Sequence, residues 1–588
     1  MIKNKVLFFL LILVIYITHN WINFYYYAGN NVDFSKYYDF INYFSGFDVE
    51  IDYGQGALYY YLISIALKRN LSNLNFGNAE SILSSSVHEV NLILYILGLL
   101  GLYSLLLLYK YDKKTIYLTL IILNFFPQSI YIRSVMKPEV FSFFLFIWSV
   151  YFVEKFLISK NLVDLVKSVP FFVLLVNTKA SLAAMAVIYF LFFYSKVITQ
   201  IKKKNLILIF VFIIFLISLI QFENYSLTGL TPFERVYEEE YDNTANPSII
   251  FRMNILEVLK NPFFKYDYQE QFYSIHAKSV INLTLLDTFG DHFNQLFDFS
   301  GNYFSKERKN IFVESSNSFI NNNREVRYSG IFSFFVINKL DHIRKIISVI
   351  LSLFFYFGIF YSSIKLKSQR KFFLAPIIGI LVLYINSLGF PSNNFNPYKG
   401  DTFKAFYYSY LLIISFSFFV SYFIKNNKKI INYFVLPLFV TTVIFIGGHP
   451  KQNSQQMSER IIATNEYSLF CEVNNFLIFE NSILKKIHPS GNIEGYKSDC
   501  KEYSSSKIIF ENTFDDYLSI NKPYCFTNDE LNVNVSNSNM CRVFWLLESK
   551  KINDGKNKIP IIALLYFLTS ITLVFTKFKK PMFKGKKE

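Results

Sequence analysis

The chain has 588 residues, 52% of them hydrophobic and only 17% charged, and its 59 Lys and Arg against 43 Asp and Glu leave a formal net charge of +16. Soluble chains average about 25% charged residues, and here the charges gather in short clusters between long uncharged runs. With 68 Phe, 43 Tyr, 21 Gly and 15 Pro and no heptad repeat, the composition excludes a disordered chain, a collagen and a coiled coil. Two classes remain: a basic protein that holds a polyanion, and a membrane protein whose basic residues mark one side of a bilayer.

Apolar runs of the length that crosses a bilayer, about 20 residues, decide between them. Taken in chain order they lie at 6–22, 90–109, 115–132, 138–154, 163–178, 180–195, 205–221, 343–363, 372–390, 403–424, 430–447 and 559–576. The fifth and sixth are separated only by the break at Asn177, Thr178 and Lys179. The first follows Lys3 and Lys5 and lacks a small-residue cleavage site, so it reads as an uncleaved span. With the N-terminus inside, the inner segments hold 25 Lys and Arg and four acids, and the remainder of the chain has a net charge of −5. Basic loops face the cytoplasm, so one orientation fits all twelve spans. The expected fold is an all-α polytopic membrane protein of about twelve transmembrane helices. It is expected in a bacterial inner (plasma) membrane, with both termini cytoplasmic and the large loops periplasmic. The net charge then reports orientation, and no nucleic-acid partner is expected.

Three large outer regions follow, at 23–89, 222–342 and 448–558. The chain divides into a transmembrane region, 1–447, an outer domain, 448–558, and a last helix with a basic tail, 559–588. Region 448–558 holds all four cysteines, Cys471, Cys500, Cys525 and Cys541. That placement fits disulfides in an oxidising compartment, with the pairing open. Its short apolar runs, such as 507–510 and 543–546, predict a small α/β domain.

No Walker loop, dinucleotide fingerprint, HExxH or GxSxG occurs, so an ATP-driven pump, a dehydrogenase and a zinc protease have no support. The residues of interest are polar groups at the outer ends of spans. Asp33 precedes a stretch with Phe34, Tyr37, Ile41 and Phe44 on one helical face, the pattern of an amphipathic helix on the membrane surface. It reads either as a helix cap or as a general base facing an acceptor hydroxyl. Asp48, Glu50 and Asp52 read as an exposed strand face, or as oxygen ligands for a hard divalent metal. Arg133, Lys137 and Glu139 flank Pro138 between the third and fourth spans, and Lys179 lies between the fifth and sixth. These cations suit either snorkelling to headgroups or a clamp on a lipid phosphate, and Lys399 and Lys404 are placed like them where the chain enters the tenth span from outside. Asp39, Glu139, Asp287 and Asp291 are further acid candidates for the acceptor side.

Together these residues resemble the GT-C membrane glycosyltransferases, a group that includes protein O-mannosyltransferases, lipid A aminoarabinose transferases and RgtA/B/C/D-like enzymes. The resemblance covers about residues 1–195. It rests on an Asp after the first span (Asp33), a glycine turn into an aromatic segment (Gly54 to Leu62), a link with Pro127, Arg133, Pro138 and Glu139, and the triplet Thr178-Lys179-Ala180. It implies a GT-C-like fold and an inverting glycosyltransferase that moves a sugar from a polyprenyl-phosphate donor to a lipid, glycan or protein acceptor at the outer face. Asp33 would be the base, and Arg133, Lys137, Lys179, Lys399 and Lys404 would hold the donor phosphate. No cofactor is required by that chemistry, and a divalent metal is left open. A lipid-linked glycan flippase and an O-antigen polymerase or ligase are the competing readings.

Overall fold

A computed structural model describes residues 2–25, 28, 37, 40–41, 43–44, 51, 54–69, 79–231, 284–285, 287–289, 337–387, 405–426, 435, 437–438, 468–469, 476–480, 483–487, 493–497 and 559–579. Helices dominate them. In chain order these are α1 (Ile2–Tyr25), α2 (Ala57–Lys68), α3 (Ala79–Leu108), α4 (Lys113–Leu123), α5 (Pro127–Ser134), α6 (Glu139–Ser159), α7 (Leu162–Val166), α8 (Val169–Val176), α9 (Ala180–Gln200) and α10 (Lys203–Thr228). They continue with α11 (Ile337–Lys365), α12 (Arg370–Phe373), α13 (Ala375–Ser387), a 3-10 turn at Ala405–Tyr408, α14 (Ser409–Asn426) and α15 (Ile561–Lys579).

Among the described residues six helices are long and apolar enough to cross a membrane: Asn4–Phe24, Ile82–Leu108, Glu139–Ser159, Lys204–Thr228, Ile346–Lys365 and Ser409–Asn426. The chain therefore has the build of a polytopic helical membrane protein. The expected span 115–132 is a broken one, α4 and α5 being bent by 61°. Pro127 at the start of α5 has no N–H to continue the ladder of α4. Four more expected spans are made of shorter pieces: 163–178 breaks between α7 and α8, 372–390 between α12 and α13, and 180–195 and 559–576 fall in α9 and α15. The eleventh, 430–447, lies largely outside the described residues.

The core forms where the most apolar helices meet. α6 carries no charge between Glu139 and Glu154 and is buried over nearly all its surface. It packs along α3, where Gly98 and Gly101 face Phe143, Ile147 and Trp148; a Cβ on Gly98 would stand 2.3 Å from the Phe143 ring. Lipid tails are as apolar as these side chains, so close packing at small residues, rather than escape from water, drives such contacts. The Trp148 indole completes the seam by donating to Leu97 O at 2.9 Å. By contrast α1 and α10 expose apolar side chains around most of their circumference, Phe9, Tyr16, Leu208 and Phe210 among them, as lipid-facing helices do.

Two parts of the expected outer loops enter the bundle. α2, from loop 23–89, is uncharged until Lys68 and buries Leu58, Tyr59, Tyr60, Ile63 and Leu67. Tyr37, Ile41 and Phe44 of the expected surface helix are buried too, and Tyr37 and Phe40 stack on Tyr60 at ring separations of 5.8 and 4.8 Å. From loop 222–342, Phe289 is fully buried and meets Phe126 at 5.3 Å.

In the C-terminal region four short strands, β1 (Ser468–Leu469), β2 (Phe476–Glu480), β3 (Ile483–Ile487) and β4 (Ile493–Lys497), pair in sequence order as an antiparallel meander. The register sets Ile478 opposite Lys485 and Lys485 opposite Gly495. These strands fall in the expected outer domain; its four cysteines lie outside the described residues.

Candidate functional site

The site is built where three links between helices come together. The first joins α5 to α6 and carries Arg133, Lys137 and Glu139. Polar side chains from inside the apolar α3 hold it. Asn91 donates to Arg133 O at 3.1 Å and Val135 O at 2.9 Å, and its own oxygen accepts from the Tyr59 hydroxyl at 2.9 Å. His88 bridges Asn23 Oδ1 at 2.7 Å and Ser134 O at 2.9 Å. The Met136 N–H donates to Ala28 O at 3.1 Å, which ties the link to the chain beyond α1. Every one of these backbone groups is out of water, so leaving one unpaired would cost about 1–3 kcal/mol.

The second link, Asn177–Lys179, joins α8 to α9. Asn177 closes α8 by donating to Val173 O at 2.9 Å, and the Thr178 hydroxyl donates to Leu175 O at 2.7 Å. The third is the turn before α2. Its Gly56 N–H donates to Thr178 O at 2.8 Å, and any Cβ on Gly56 would lie 2.1 Å from Asn177 O. Glycine stands here because two backbones touch.

Side chains from the three links then meet. Lys179 pairs with Glu139 at 3.3 Å, with the Glu139 side chain wholly buried and that of Lys179 10% exposed. The Lys179 ammonium lies 5.0 Å from the centre of the Tyr407 ring, and the Lys137 ammonium lies 5.5 Å from the same ring and 5.8 Å from Tyr37. Ammonium groups over aromatic faces are attracted by the ring quadrupole. The Tyr60 hydroxyl, beneath Tyr37, donates to Gln55 Oε1 at 3.1 Å. A closed circuit of contacts thus runs from Gln55 through Tyr60, Tyr37, Lys137, Tyr407 and Lys179 to Glu139, and Thr178 and Gly56 close it. Two buried polar atoms on this circuit have no hydrogen-bond partner among the described residues: Gln55 Nε2 and Glu139 Oε2.

Of the cations expected to converge, Lys137 and Lys179 do. Arg133 is 1% exposed and is engaged elsewhere. Its guanidinium donates to Ser129 O at 2.8 Å, Thr18 Oγ1 at 2.9 Å and Asn124 O at 3.2 Å, and it lies 4.5 Å from the Tyr95 ring centre. These contacts brace α5 against α1 and the end of α4. Asp287 is also placed: its carboxylate accepts from the Ala405 N–H, and its carbonyl accepts from Gln128 at 2.9 Å. It thereby fixes the 3-10 turn that presents Tyr407. Asp33, Asp39, Asp48, Glu50, Asp52, Asp291, Lys399 and Lys404 lie outside the described residues. Among the described residues no group of three or more His, Cys, Asp or Glu could hold a metal ion.

Gln55, His88, Asn91 and Tyr407 are the site residues that sequence reasoning passed over. The signal for two of them was available: His88 and Asn91 are three apart, on one face of a helix that is otherwise apolar beyond them, and a polar residue within a span is a functional suspect by its cost alone. Compared with family models, curated proteins and solved structures, the chain matches none.

Proposed function

We propose that the chain is a membrane glycosyltransferase that moves a sugar from a polyprenyl-phosphate donor to an acceptor at the outer face, with inversion. The observation that carries the reading is the meeting of Lys137 and Lys179 at the Tyr407 ring, from links 42 positions apart that the sequence marks as outer ends of spans. A lipid-linked sugar presents its phosphate at that depth. As the glycosidic bond breaks, the phosphate leaves with the bonding electrons. Preorganised ammonium groups in a water-poor site stabilise that developing charge far better than they would in water. Asp33 takes the proton from the acceptor hydroxyl as it attacks. Arg133 has a different part in this reading from the one its sequence position suggested. It braces the link that delivers Lys137 and does not itself touch donor.

The test is transfer from a synthetic prenyl-phosphate sugar in membranes containing the full chain. Asp33→Asn and Lys137→Ala are each expected to lower the rate at least about a hundredfold, the range for losing a general base or a transition-state donor, at unchanged protein level. Full transfer by both variants overturns the proposal. So does movement of the lipid-linked sugar across the bilayer without transfer, which is the behaviour of a flippase.

A further inference from the structure

α10 is apolar and largely lipid-facing, with no charged residue between Lys204 and Glu223. It then places two polar side chains in succession, Glu223 and Asn224, and buries both, at 7% and 1% exposure. An acid at that place in a span is costly, and its partners show what offsets the cost. Glu223 accepts from the Ile562 N–H at 2.5 Å with one oxygen and from the Ala563 N–H at 2.9 Å with the other. Both are first-turn N–H groups of α15, donors that a helix cannot satisfy by itself. Two such donors need two acceptor oxygens at the positive end of a helix, which a carboxylate provides and an amide does not. Asn224 acts in the same way on α2. The N-cap of α2 is Gly56, which has no side chain to cap it, and Asn224 Oδ1 accepts from the Ala57 N–H at 3.2 Å. Adjacent helical positions point about 100° apart, so one turn of α10 holds the starts of two other helices.

Both helices lead to the second link. Ala57 follows Gly56, whose N–H donates to Thr178 O, and Thr178 precedes Lys179. α15 packs along α8, the helix that ends at Asn177. Its Phe567 meets Phe141 and Phe144 at 5.8 and 6.2 Å, in the part of α6 that begins at Glu139. α15 is also where the chain returns to the bundle after region 448–558. We infer that Glu223 and Asn224 are positioning residues: they lock the seat of α15 to the Gly56 turn, and through that turn they set where Lys179 stands. This role rests on the transferase reading and deepens it, since the ammonium so placed is one of the two proposed for the donor phosphate. What the pair supplies is acceptor oxygens in fixed places. Asn224 Nδ2 has no hydrogen-bond partner among the described residues, so Asn224→Asp keeps the one side-chain bond in use, and Asn224→Leu, of similar volume, removes it.

The experiment uses the purified full-length protein in detergent and reads two quantities. The first is hydrogen exchange at residues 54–58, where the Gly56 N–H reports the contact with Thr178 directly and needs no ligand. The second is affinity for a short-chain prenyl phosphate. Asn224→Leu is expected to speed that exchange and to weaken the affinity, each about three- to tenfold, the weight of one hydrogen bond, with exchange in α4 unchanged. Asn224→Asp is expected to restore both. Added to Gly56→Ala, Asn224→Leu should weaken binding by less than about twofold more, because the route is already broken; added to Lys137→Ala, which lies on the other link, it should keep its full factor. Equal factors in the two backgrounds overturn the inference, as does a loss in Asn224→Asp equal to that in Asn224→Leu. If Asn224→Leu fails to fold, as judged by gel filtration and helical circular dichroism, Glu223→Gln decides, with the same two losses expected through α15. A wild-type chain that binds prenyl phosphate, with the variants unchanged in exchange or in affinity, overturns this inference alone. A wild-type chain that does not bind removes the transferase reading, while faster Gly56 exchange in Asn224→Leu still upholds the hold of α10 on the turn.

Discussion

Gly56→Ala is the change that most directly probes how the site is assembled. The φ of Gly56 is −65°, a value any residue adopts, so the substitution carries no backbone strain of its own. Its effect is contact. The new Cβ would stand 2.1 Å from Asn177 O and 3.0 Å from Thr178 Cα, and both are backbone atoms that no rotamer change can move. Relief needs a shift of about 1 Å toward ordinary van der Waals separation. Overpacking of this kind costs about 1–3 kcal/mol. Stretching the Gly56 to Thr178 hydrogen bond forfeits about 1 kcal/mol more, for a total of about 2–4 kcal/mol. Lys179 moves with Thr178, so its ammonium loses register with Glu139 and Tyr407. In the proposed transferase, a 1 Å displacement of a group that meets the reacting atoms costs about a hundredfold in rate. Denaturant unfolding followed by tryptophan fluorescence, together with prenyl-phosphate affinity and transfer rate, measures the three effects. Wild-type values for all three in Gly56→Ala would refute the view that this backbone contact positions the second link.

Other outcomes follow from the same structure. Arg133→Lys should destabilise the protein by about 2–4 kcal/mol, because one ammonium cannot reach three acceptors held in a fork; a stable variant that loses only phosphate affinity would return Arg133 to the donor site. At the other end of α6, Glu154 is buried, forms an ion pair with the partly exposed Lys371 and accepts from the Tyr109 hydroxyl at 2.6 Å. Lys371→Met alone should lower stability by about 3–5 kcal/mol, whereas Glu154→Leu with Lys371→Met should cost only about 1–3 kcal/mol, for the Tyr109 hydroxyl left without its acceptor, which a thermal double-mutant cycle completed by Glu154→Leu resolves. Asp112 caps α4 by accepting from the Thr115 N–H at 3.0 Å and the Thr115 hydroxyl at 2.7 Å. Burial acts to raise its carboxyl, but these bonds outweigh it and hold the group below its ordinary value. Its stabilisation is therefore complete above the unfolded value of about 3.9 and fades as pH falls through the lowered one. Asp112→Ala should cost about 1 kcal/mol at neutral pH and less at strongly acid pH.

Apolar length was the most legible property of this chain. Runs such as 138–154 and 205–221 fall on α6 and α10, because so long an apolar stretch has few alternatives to a helix in lipid. α2 falls in the expected outer loop 23–89 because at 12 residues it is too short to register as a span, and its aromatic face packs against the bundle. In the site, the sequence marked Lys137 and Lys179 as cations at outer ends, and the structure brings them to one ring. What it left open was who holds whom. Arg133 looked equivalent to Lys137 because chain position carries no information about Thr18, 115 residues away, or about the carbonyl that a broken helix leaves at Asn124. Gln55 and Tyr407 were invisible as site residues because their role depends on contacts between links that only the packed bundle sets.

The bend between α4 and α5 has a mechanical consequence. α5 is an eight-residue arm, about 12 Å long, hinged at Asn124–Phe126 and carrying the Lys137 link at its far end. By simple leverage a rotation of about 10° at the hinge carries the tip of such an arm about 2 Å, several times the tolerance of a catalytic contact. Arg133 spans that hinge as a strut, one nitrogen on Asn124 at its near side and another on Thr18 of α1. The angle of the arm is thus set by these bonds at its base and by Asn91 and His88 at its far end, and with it the place of Lys137 beside the Tyr407 ring.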